Sequence, residues 1–465
     1  MTDAPLILWF RRDLRLADHP MLSAGVATGR PLLPVVILDP ETEAQGAAAR
    51  WRWGLSVAAF AKDLAAFGLR LTLRRGEALA VLQGLVAETG AGGVMWSRLY
   101  DPEARRRDAA VKTALRAAGT EARSFAGHLL HEPWDIATGD GGFYKVYSPF
   151  WRAVRQREVR DLWPAPTSLR GVEVWPDSDD LAAWHLGVAM RGGADVVLPW
   201  QRIGTAAAQD RLQAFLAGPV AQYSERRDFL AQDATSGLSE NLTYGEISPV
   251  QVWHGGWRAL QEGAAGAEHF LKELVWREFA WTLTYHSPHI TTRNWREGWD
   301  AFPWRADNAD AEAWRRGMTG EPVVDAAMRQ MYVTGTMHNR ARMIVASYLT
   351  KHLLTDWRVG QAWFGECLTD WDPASNAMGW QWVAGSGPDA APYFRIFNPA
   401  TQAEKFDTDG VYRARWLDQA SSEARAYFDA APKGWRLPEL PYPQPLIALD
   451  QGRARALDAL AQRKA

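Results

Sequence analysis

The feature that most constrains the fold of this chain is a change of hydrophobic pattern partway along it. Up to about residue 127, short apolar runs rich in β-branched residues alternate with longer amphipathic stretches rich in alanine. After about residue 200 the strand-like runs largely disappear, and amphipathic helical segments continue almost to the end. The first pattern is typical of βαβ units in a parallel sheet, and the second predicts a helical domain.

The pattern predicts two domains and a connector. Residues 1–127 form a Rossmann-like α/β domain and residues 201–465 a helical domain. Residues 128–200, rich in Pro, Trp and Gly, form a long connector over the surface. The predicted strands are 5–10, 32–39, 69–74 and 93–97, and the predicted helices between them are 47–67, 78–89 and 102–118. Helix starts are predicted at Ser239 and at Ser248-Pro249, and the last fifteen residues or so form a surface helix.

Composition excludes several classes of protein. The formal net charge of the 465 residues is -2, so a nucleic-acid partner has to be met by a local basic surface. The single cysteine, Cys367, excludes an internal disulfide framework, and no spacing of His and Cys predicts a metal site. No basic leader or long apolar run is present, so we expect a soluble cytoplasmic monomer with no membrane contact and no obligate protein partner.

The 25 tryptophans are far more than a chain of this length usually carries. Core packing accounts for most of them. Tryptophan is also easily oxidised and offers a broad stacking surface, so electron transfer and base stacking are further interpretations. Composition alone does not choose among the three.

The segment from Tyr223 to Ser239 ends in a small hydroxyl-rich turn before a predicted helix. Exposed backbone amides and the hydroxyls of Thr235, Ser236 and Ser239 can hold a phosphate there, aided by the helix N-terminus. An ordinary helix-capping loop is the simpler interpretation of this segment by itself. No GxGxxG follows the first predicted strand, so dinucleotide binding in the α/β domain is unsupported.

Glu273 and Trp276 are three residues apart and share one face of a predicted helix. Such a pair can hydrogen-bond the edge of a base while stacking on its plane, as a pocket for an extruded base requires. A partly buried structural pair is the simpler interpretation of these two residues alone.

A third group of motifs has the composition of a flavin site. Asn339 and Met343 lie four residues apart beside Arg340 and Arg342, and a polar series with Asp370, Asp372 and Asn376 follows. An isoalloxazine ring needs hydrogen-bond partners and a nearby cation that stabilises its reduced anion. A surface charge network is the alternative, but an Asn flanked by apolar residues favours a ligand. In GWQW, Trp380 and Trp382 point in different directions. One can face the cofactor and the other a ligand cavity, or both can be ordinary core residues.

Taken together these motifs resemble the photolyase/cryptochrome family, and within it the class I cyclobutane-dimer photolyases. The likeness runs from LILWFRRDLRLADHPML through GLSENLTYGEISP, ELVWREF, MHNRARM and GWQWVAGS to DAAPYFRIFNPATQAEKFD. It implies an α/β domain, an interdomain loop and a helical domain that binds FAD. The implied FAD positions are Tyr223, Thr235, Ser236, Gly237, Leu238, Ser239, Arg277, Arg340, Arg342, Asp370, Trp371, Asp372 and Asn376, with Asn376 facing flavin N5.

The resemblance also implies a reaction on DNA. Light drives an electron from reduced anionic FAD to a flipped-out pyrimidine dimer, which splits and returns the electron. The implied dimer pocket is Glu273, Trp276, Asn339, Met343 and Trp382, with Glu273 bonded to the dimer carbonyls. The implied DNA contacts add Arg227, Arg340 and Gln402, and the implied electron chain is Trp380, Trp357 and Trp304.

One alternative function is open within this family. A cryptochrome-like blue-light photoreceptor is the alternative to a repair enzyme, although Asn376 favours a stable reduced flavin, and Asn339 and Met343 replace the histidines of (6-4) photolyases.

The antenna chromophore is undecided. Glu103 and Ala104 stand where folate-binding relatives have an Asn-Glu pair, which argues against folate, and YKVYSPFW is compatible with a deazaflavin, another flavin or none.

Overall fold

The computed structural model describes residues 3–390, 394–437 and 441–464. The amino-terminal part is a sheet of five parallel strands in the order β3-β2-β1-β4-β5. They are β1 (Leu6–Phe10), β2 (Leu32–Leu38), β3 (Thr72–Arg75), β4 (Gly93–Ser97) and β5 (Glu121–Phe125). The α/β class predicted for this part is confirmed.

The continuous apolar runs form strands because both faces of the sheet are covered. Along β1, Leu6 and Leu8 enter one core cluster, whereas Ile7 and Trp9 enter the cluster on the opposite face. Strand β5 was not predicted from the sequence. It is an edge strand in which an exposed Glu121 precedes a buried Ala122, so it lacks the apolar run that marks the others.

The helices of the amino-terminal part and the connector come first in the chain. They are α1 (Pro20–Ala27), α2 (Pro40–Glu43), α3 (Ala47–Ala65), α4 (Ala78–Thr89), α5 (Pro102–Ala117), α6 (Tyr147–Arg155) and α7 (Ala194–Val197). The three predicted helices correspond to α3, α4 and α5. Helix α6 lies inside the segment predicted as a connector over the surface, and four of its nine residues are buried.

The rest of the chain is helical, as predicted. Its helices are α8 (Gly204–Ala217), α9 (Tyr223–Arg226), α10 (Ser239–Thr243), α11 (Pro249–Gln261), α12 (Ala267–His286), α13 (Ala309–Arg315), α14 (Pro322–Thr334), α15 (Asn339–Ser347), α16 (Trp357–Cys367), α17 (Pro373–Ala384), α18 (Pro399–Phe406), α19 (Val411–Leu417), α20 (Ser422–Ala430) and α21 (Leu449–Lys464). Ser248 caps α11 in a reciprocal capping box with Gln251, while Ser239 begins α10 without capping it.

A buried ion pair joins the two domains. Arg52 of α3 donates to both carboxylate oxygens of Glu246 at 3.0 and 2.9 Å, and neither side chain is exposed. Nearby, the Tyr244 hydroxyl lies 3.0 Å from the carbonyl oxygen of Ala49 and 2.6 Å from that of Thr369. The sheet domain is therefore held against the helical domain by bonds that neither domain can satisfy alone.

Across the described ranges, no helix is long and apolar enough to cross a membrane. Within the same residues, no group of three or more His, Cys, Asp or Glu side chains is arranged to hold a metal ion.

Candidate functional site

Helix α17 is the centre of the region that the sequence motifs indicated. Helices α12, α15 and α16 all pack against it. Glu273 and Trp276 come from α12, Asn339 to Met343 from α15, Trp357 from α16, and Asn376, Trp380 and Trp382 from α17 itself. Motifs separated by up to about one hundred residues therefore meet around one helix.

The N-terminus of α17 is organised by Asp372. Its Oδ1 accepts from the Ser375 amide at 2.7 Å and its Oδ2 from the indole nitrogen of Trp281 at 3.0 Å. One turn later, the buried Asn376 donates from Nδ2 to the Asp372 carbonyl at 3.0 Å. This bond leaves Oδ1 of Asn376 as an acceptor, which is what the N–H at position 5 of a reduced flavin needs.

Arg342 supplies the cation of this region. Its Nη2 donates to Oδ2 of Asp370 at 2.8 Å, and its Nε donates to the carbonyl of Met337 at 2.8 Å. Asp370 is buried, and its Oδ1 has no hydrogen-bond partner in the described part of the chain. The pair therefore offers both a positive charge and an acceptor.

The hydroxyl-rich turn is held by a residue that the motifs did not indicate. Arg211 of α8 donates to the carbonyl of Gly237 and lies 3.7 Å from the buried Glu240. Gly237 has φ +60°, a backbone conformation that favours glycine. Thr235 and Ser239 are exposed. The turn thus presents hydroxyls beside a guanidinium, as a phosphate requires.

A row of alternating charges runs along one side of the site. Arg227, which follows α9, is ion-paired with Glu273, and Arg340 pairs with Asp228 at 2.6 Å. Burial opposes ionisation of Glu273, but contacts with His269 and Arg227 outweigh it and hold the pKa of this carboxyl below its usual range. Glu273 is therefore a carboxylate, which can only accept hydrogen bonds.

The predicted DNA contacts lie together at the end of α18. The Arg340 guanidinium lies over the Phe406 ring at 4.4 Å. The amide of Leu230, three residues after Arg227, donates to the Phe406 carbonyl at 3.0 Å. Gln402, one turn before Phe406, has a buried Oε1 to which none of the described residues bonds.

Each of the two tryptophans predicted to hold the dimer is supported from behind. Trp276 is stacked on Tyr147 of α6, with ring centroids 3.6 Å apart and planes inclined by 7°. The Tyr147 hydroxyl donates to the Lys272 carbonyl at 2.5 Å, which fixes that ring. Arg395 lies over the Trp382 ring at 5.0 Å. Both indoles are only partly buried, so each has a face left for a ligand.

The N-terminus of α15 presents the other two pocket residues. Asn339 is exposed and Met343, one turn later, is partly buried. His338 precedes them as the helix cap, and its Nδ1 accepts from the Arg340 amide at 3.1 Å. Burial lowers the pKa of His338 to about 4, so the capping ring is neutral at pH 7.

The three tryptophans of the predicted electron chain run from the core toward the surface. Trp380 packs over Gly360, which lies one turn after Trp357 on α16. Trp357 is fully buried and donates to Oδ1 of Asn294 at 3.0 Å. Trp304 is only partly buried. The amide of Asp356 donates to the carbonyl of Arg305 at 3.0 Å, which joins the segments that carry Trp304 and Trp357.

Two more of the predicted cofactor residues make their contacts with the connector and beside the α/β domain. The Arg277 guanidinium donates to the carbonyl of His128 at 2.8 Å and contacts its ring at 3.0 Å, so it anchors the connector. Trp371 lines a cleft of about 810 Å³ between the two domains. Glu103 and Ala104, the positions that argued against folate, line the same cleft.

The protein atoms around α15 and α17 fit a polar cofactor. Asp370 Oδ1 and Arg340 Nε are buried without a hydrogen-bond partner among the described residues. Each such atom costs about 1–3 kcal/mol unless something bonds to it. Asp370 Oδ1 and Arg340 Nε are therefore an acceptor and a donor that a bound cofactor can use.

Comparison with known proteins agrees with this geometry. Residues 6–167 match the family model for DNA photolyase, and residues 270–462 match that for the FAD binding domain of DNA photolyase. A deoxyribodipyrimidine photo-lyase from Agrobacterium fabrum is 46% identical over 470 residues, 98% of each chain. The chain belongs to the photolyase/cryptochrome family.

Solved structures of the family share the whole fold. A bacterial class III photolyase from Agrobacterium tumefaciens superposes with a TM-score of 0.91 at 44% identity, covering 100% of this chain and 98% of that one. An archaeal photolyase from Sulfolobus tokodaii, solved with two FAD molecules, gives a TM-score of 0.82 at 27% identity, covering 98% and 100%. The family and its FAD-binding domain are confirmed, whereas the class named for the Agrobacterium neighbour is III and not I.

Four residues of the site were missed by sequence reasoning. His269 is four residues from Glu273, and helical spacing could have revealed it. Arg211 and Tyr147 contact the site from other segments, and Asp228 is the neighbour of Arg227 in the segment from Tyr223 to Ser239; no local pattern marks the three.

Proposed function

We propose that this protein is a light-dependent lyase that repairs cyclobutane pyrimidine dimers in DNA with reduced FAD. The observation that carries the proposal is the arrangement around α17, where a carboxylate, two half-open indoles and an asparagine acceptor come from two packed helices. The name and full-length similarity of the Agrobacterium fabrum relative support the same activity. All these groups come from one chain, so a monomer suffices.

The residues around the flavin would set its redox state. When bound, reduced anionic FAD supplies one electron to the dimer after it absorbs blue light. Arg342, paired with Asp370, places a positive charge that favours the anion. Oδ1 of Asn376 offers an acceptor to the hydrogen on N5, whereas an acidic side chain there would repel the anion.

Three side chains would hold the extruded dimer. Trp276 and Trp382 offer stacking faces, and flipping costs little because a dimer already stacks and pairs poorly. Glu273, being ionised, would accept a hydrogen bond from an imide N–H of a pyrimidine. Bonding to the dimer carbonyls, the role that the family resemblance implies, requires Glu273 to carry a proton.

DNA affinity would come from the local cluster of Arg227, Arg340 and Gln402, since the net charge of -2 gives no general attraction.

Trp380, Trp357 and Trp304 would return the flavin to its reduced state by passing electrons inward from the surface. Such a path needs oxidisable rings from core to solvent, and Trp380 and Trp357 are buried while Trp304 is only partly buried.

We place the protein in class III of the photolyases. The sequence motifs alone resembled class I, but the solved neighbour described as class III is 44% identical over the whole chain. The departure at Glu103 and Ala104 from the folate-binding pattern is consistent with a site that differs from that of the class I enzymes.

We also infer that the interdomain cleft holds an antenna chromophore. The cleft is large enough for a ring system, is lined by Trp53, Trp371, Arg107 and Arg358, and reaches the helical domain beside the predicted cofactor residues. The archaeal relative was solved with two FAD molecules, which supports a second chromophore site in this fold. The absorption spectrum of the purified protein, compared with that of its extracted FAD, tests for it.

The decisive experiment is repair of a thymine-dimer oligonucleotide by photoreduced protein under blue light, with a dark control and a Glu273→Ala variant. Restoration of intact thymines only in the light, reduced in the variant, supports both the activity and the pocket. Failure of protein that demonstrably holds reduced FAD rejects repair and favours the alternative, a blue-light photoreceptor.

A further inference from the structure

The carboxylate of Glu273 is held from two sides. Arg227 approaches it from the segment after α9, and His269 approaches it from one turn earlier on α12, with Nε2 3.5 Å from Oε1. Both closest contacts are to Oε1. In both ion pairs Oε1 is the closest carboxylate oxygen, so Oε2 is the oxygen that a ligand can reach more readily.

The two partners of Glu273, Arg227 and His269, differ in their other contacts. Arg227 also approaches Asp228 at 3.9 Å and lies among the predicted DNA contacts. If it turns toward a phosphate when DNA binds, its hold on Glu273 weakens. Among the described residues, the contacts of His269 are its ion pair with Glu273 and an edge contact with the Tyr223 ring at 5.9 Å. His269 is therefore the partner that remains when the pocket is occupied.

We propose that His269 is a positioning residue of the dimer pocket, which fixes Oε1 of Glu273 so that Oε2 of the ionised carboxylate faces the pyrimidine imide. The proposal rests on the function proposed above for Glu273. An exposed ion pair of helical spacing usually contributes little, but here the carboxylate is enclosed by Arg227 and His269 and has to stay charged and oriented to act.

The other charged and titratable groups near Glu273 are few. They are Asp228 after α9, the phenols of Tyr223 on α9 and Tyr147 on α6, and a separate cluster in which Glu268 pairs with Arg155 at 3.0 Å and with Lys272 at 3.7 Å. Burial raises the pKa of both phenols, so neither titrates with Glu273.

The test measures binding of a dimer-containing oligonucleotide to the FAD-loaded protein from about pH 3.5 to pH 9, because the lowered pKa of Glu273 puts the acidic loss of binding below pH 4.5. His269→Ala should weaken dimer binding about three- to ten-fold at pH 7 and leave the flavin spectrum and the affinity for undamaged DNA unchanged. It should also move the acidic loss of dimer binding to higher pH, because His269 lowers the pKa of Glu273. His269→Gln keeps a donor and should restore most of the affinity.

Lys272→Ala is the matched control, since it removes a cation from the same helix that pairs with Glu268 and not with Glu273. An unchanged pH profile in His269→Ala, or the same shift in Lys272→Ala, overturns the positioning role. If Glu273→Gln binds the dimer as well as the parent does at every pH, the role proposed for Glu273 itself has failed, which is a distinguishable result.

Discussion

Replacement of Gly360 by alanine tests how closely the predicted electron chain is packed. Gly360 is on α16, and a methyl group there would lie 2.5 Å from Cζ3 of Trp380, closer still to Cη2, and 2.7 Å from Cδ2 of Leu349. Ordinary carbon contacts are about 3.5–4.0 Å, so the indole has to move by about 1 Å or more. Phe364 lies edge-on to the same ring at 4.9 Å, which leaves little room.

The expected cost follows from two opposing effects. Overpacking of a filled core costs about 1–3 kcal/mol, and the rigid indole puts Gly360→Ala at the upper end of that range. Alanine is better than glycine in a helix by about 1 kcal/mol. We therefore expect the variant to lose about 2 kcal/mol of unfolding free energy. Gly84→Ala on α4 meets no atom within 4 Å and should gain about 1 kcal/mol, so the two variants differ by about 3.

Two measurements check this prediction. Urea unfolding compares the stability of the two variants with that of the parent, and photoreduction of bound FAD compares electron delivery. A shifted Trp380 should slow photoreduction in Gly360→Ala at equal FAD content, while Gly84→Ala should match the parent. If Gly360→Ala proves as stable as Gly84→Ala and photoreduces normally, the close contact between α16 and Trp380 is refuted.

Three further predictions concern the domain junction, the pocket wall and a buried carboxyl. Arg52→Leu should lower the unfolding free energy by about 3–5 kcal/mol because it leaves Glu246 charged and buried, and adding Glu246→Leu should recover much of the loss in urea unfolding. Tyr147→Ala should weaken dimer binding about five-fold by removing the ring behind Trp276, whereas Tyr147→Phe should not, and equal affinities of the two variants would contradict the stacking role. Burial raises the pKa of Glu278 from 4.5 to about 7, so the folded state binds the extra proton and stability falls as pH rises from about 4.5 to 7, by on the order of 3 kcal/mol. Glu278→Gln should remove this component of the pH dependence, and a parallel pH dependence of unfolding in both proteins would disprove it.

The fold could be predicted well where one element carries its own signal. Strands β1, β2 and β4 are apolar runs buried on both faces, and the N-terminus of α11 is indicated in the sequence by Ser248-Pro249. Strand β5 and helix α6 were not predicted because contacts with other segments of the chain stabilise them. An edge strand buries one face, and Tyr147 of α6 is held by Trp276, far along the chain.

The candidate site divides in the same way. Glu273 with Trp276, and Asn339 with Met343, are pairs within one helical turn, so helical periodicity by itself brings them together. Family resemblance extended this to a list of residues, but not to their partners. Arg277 was expected at the cofactor, and its guanidinium bonds to His128.

What the sequence by itself determined is therefore the class of each domain and the local pairs of chemically active side chains, because both depend on the repeat of a single helix or strand. Only the tertiary structure decided that Glu273 meets Arg227, that Tyr147 supports Trp276, and that Arg52 neutralises Glu246. These contacts join residues up to 194 positions apart. The geometry of these contacts depends on how whole helices pack against one another, and the periodicity of a single helix or strand does not determine it.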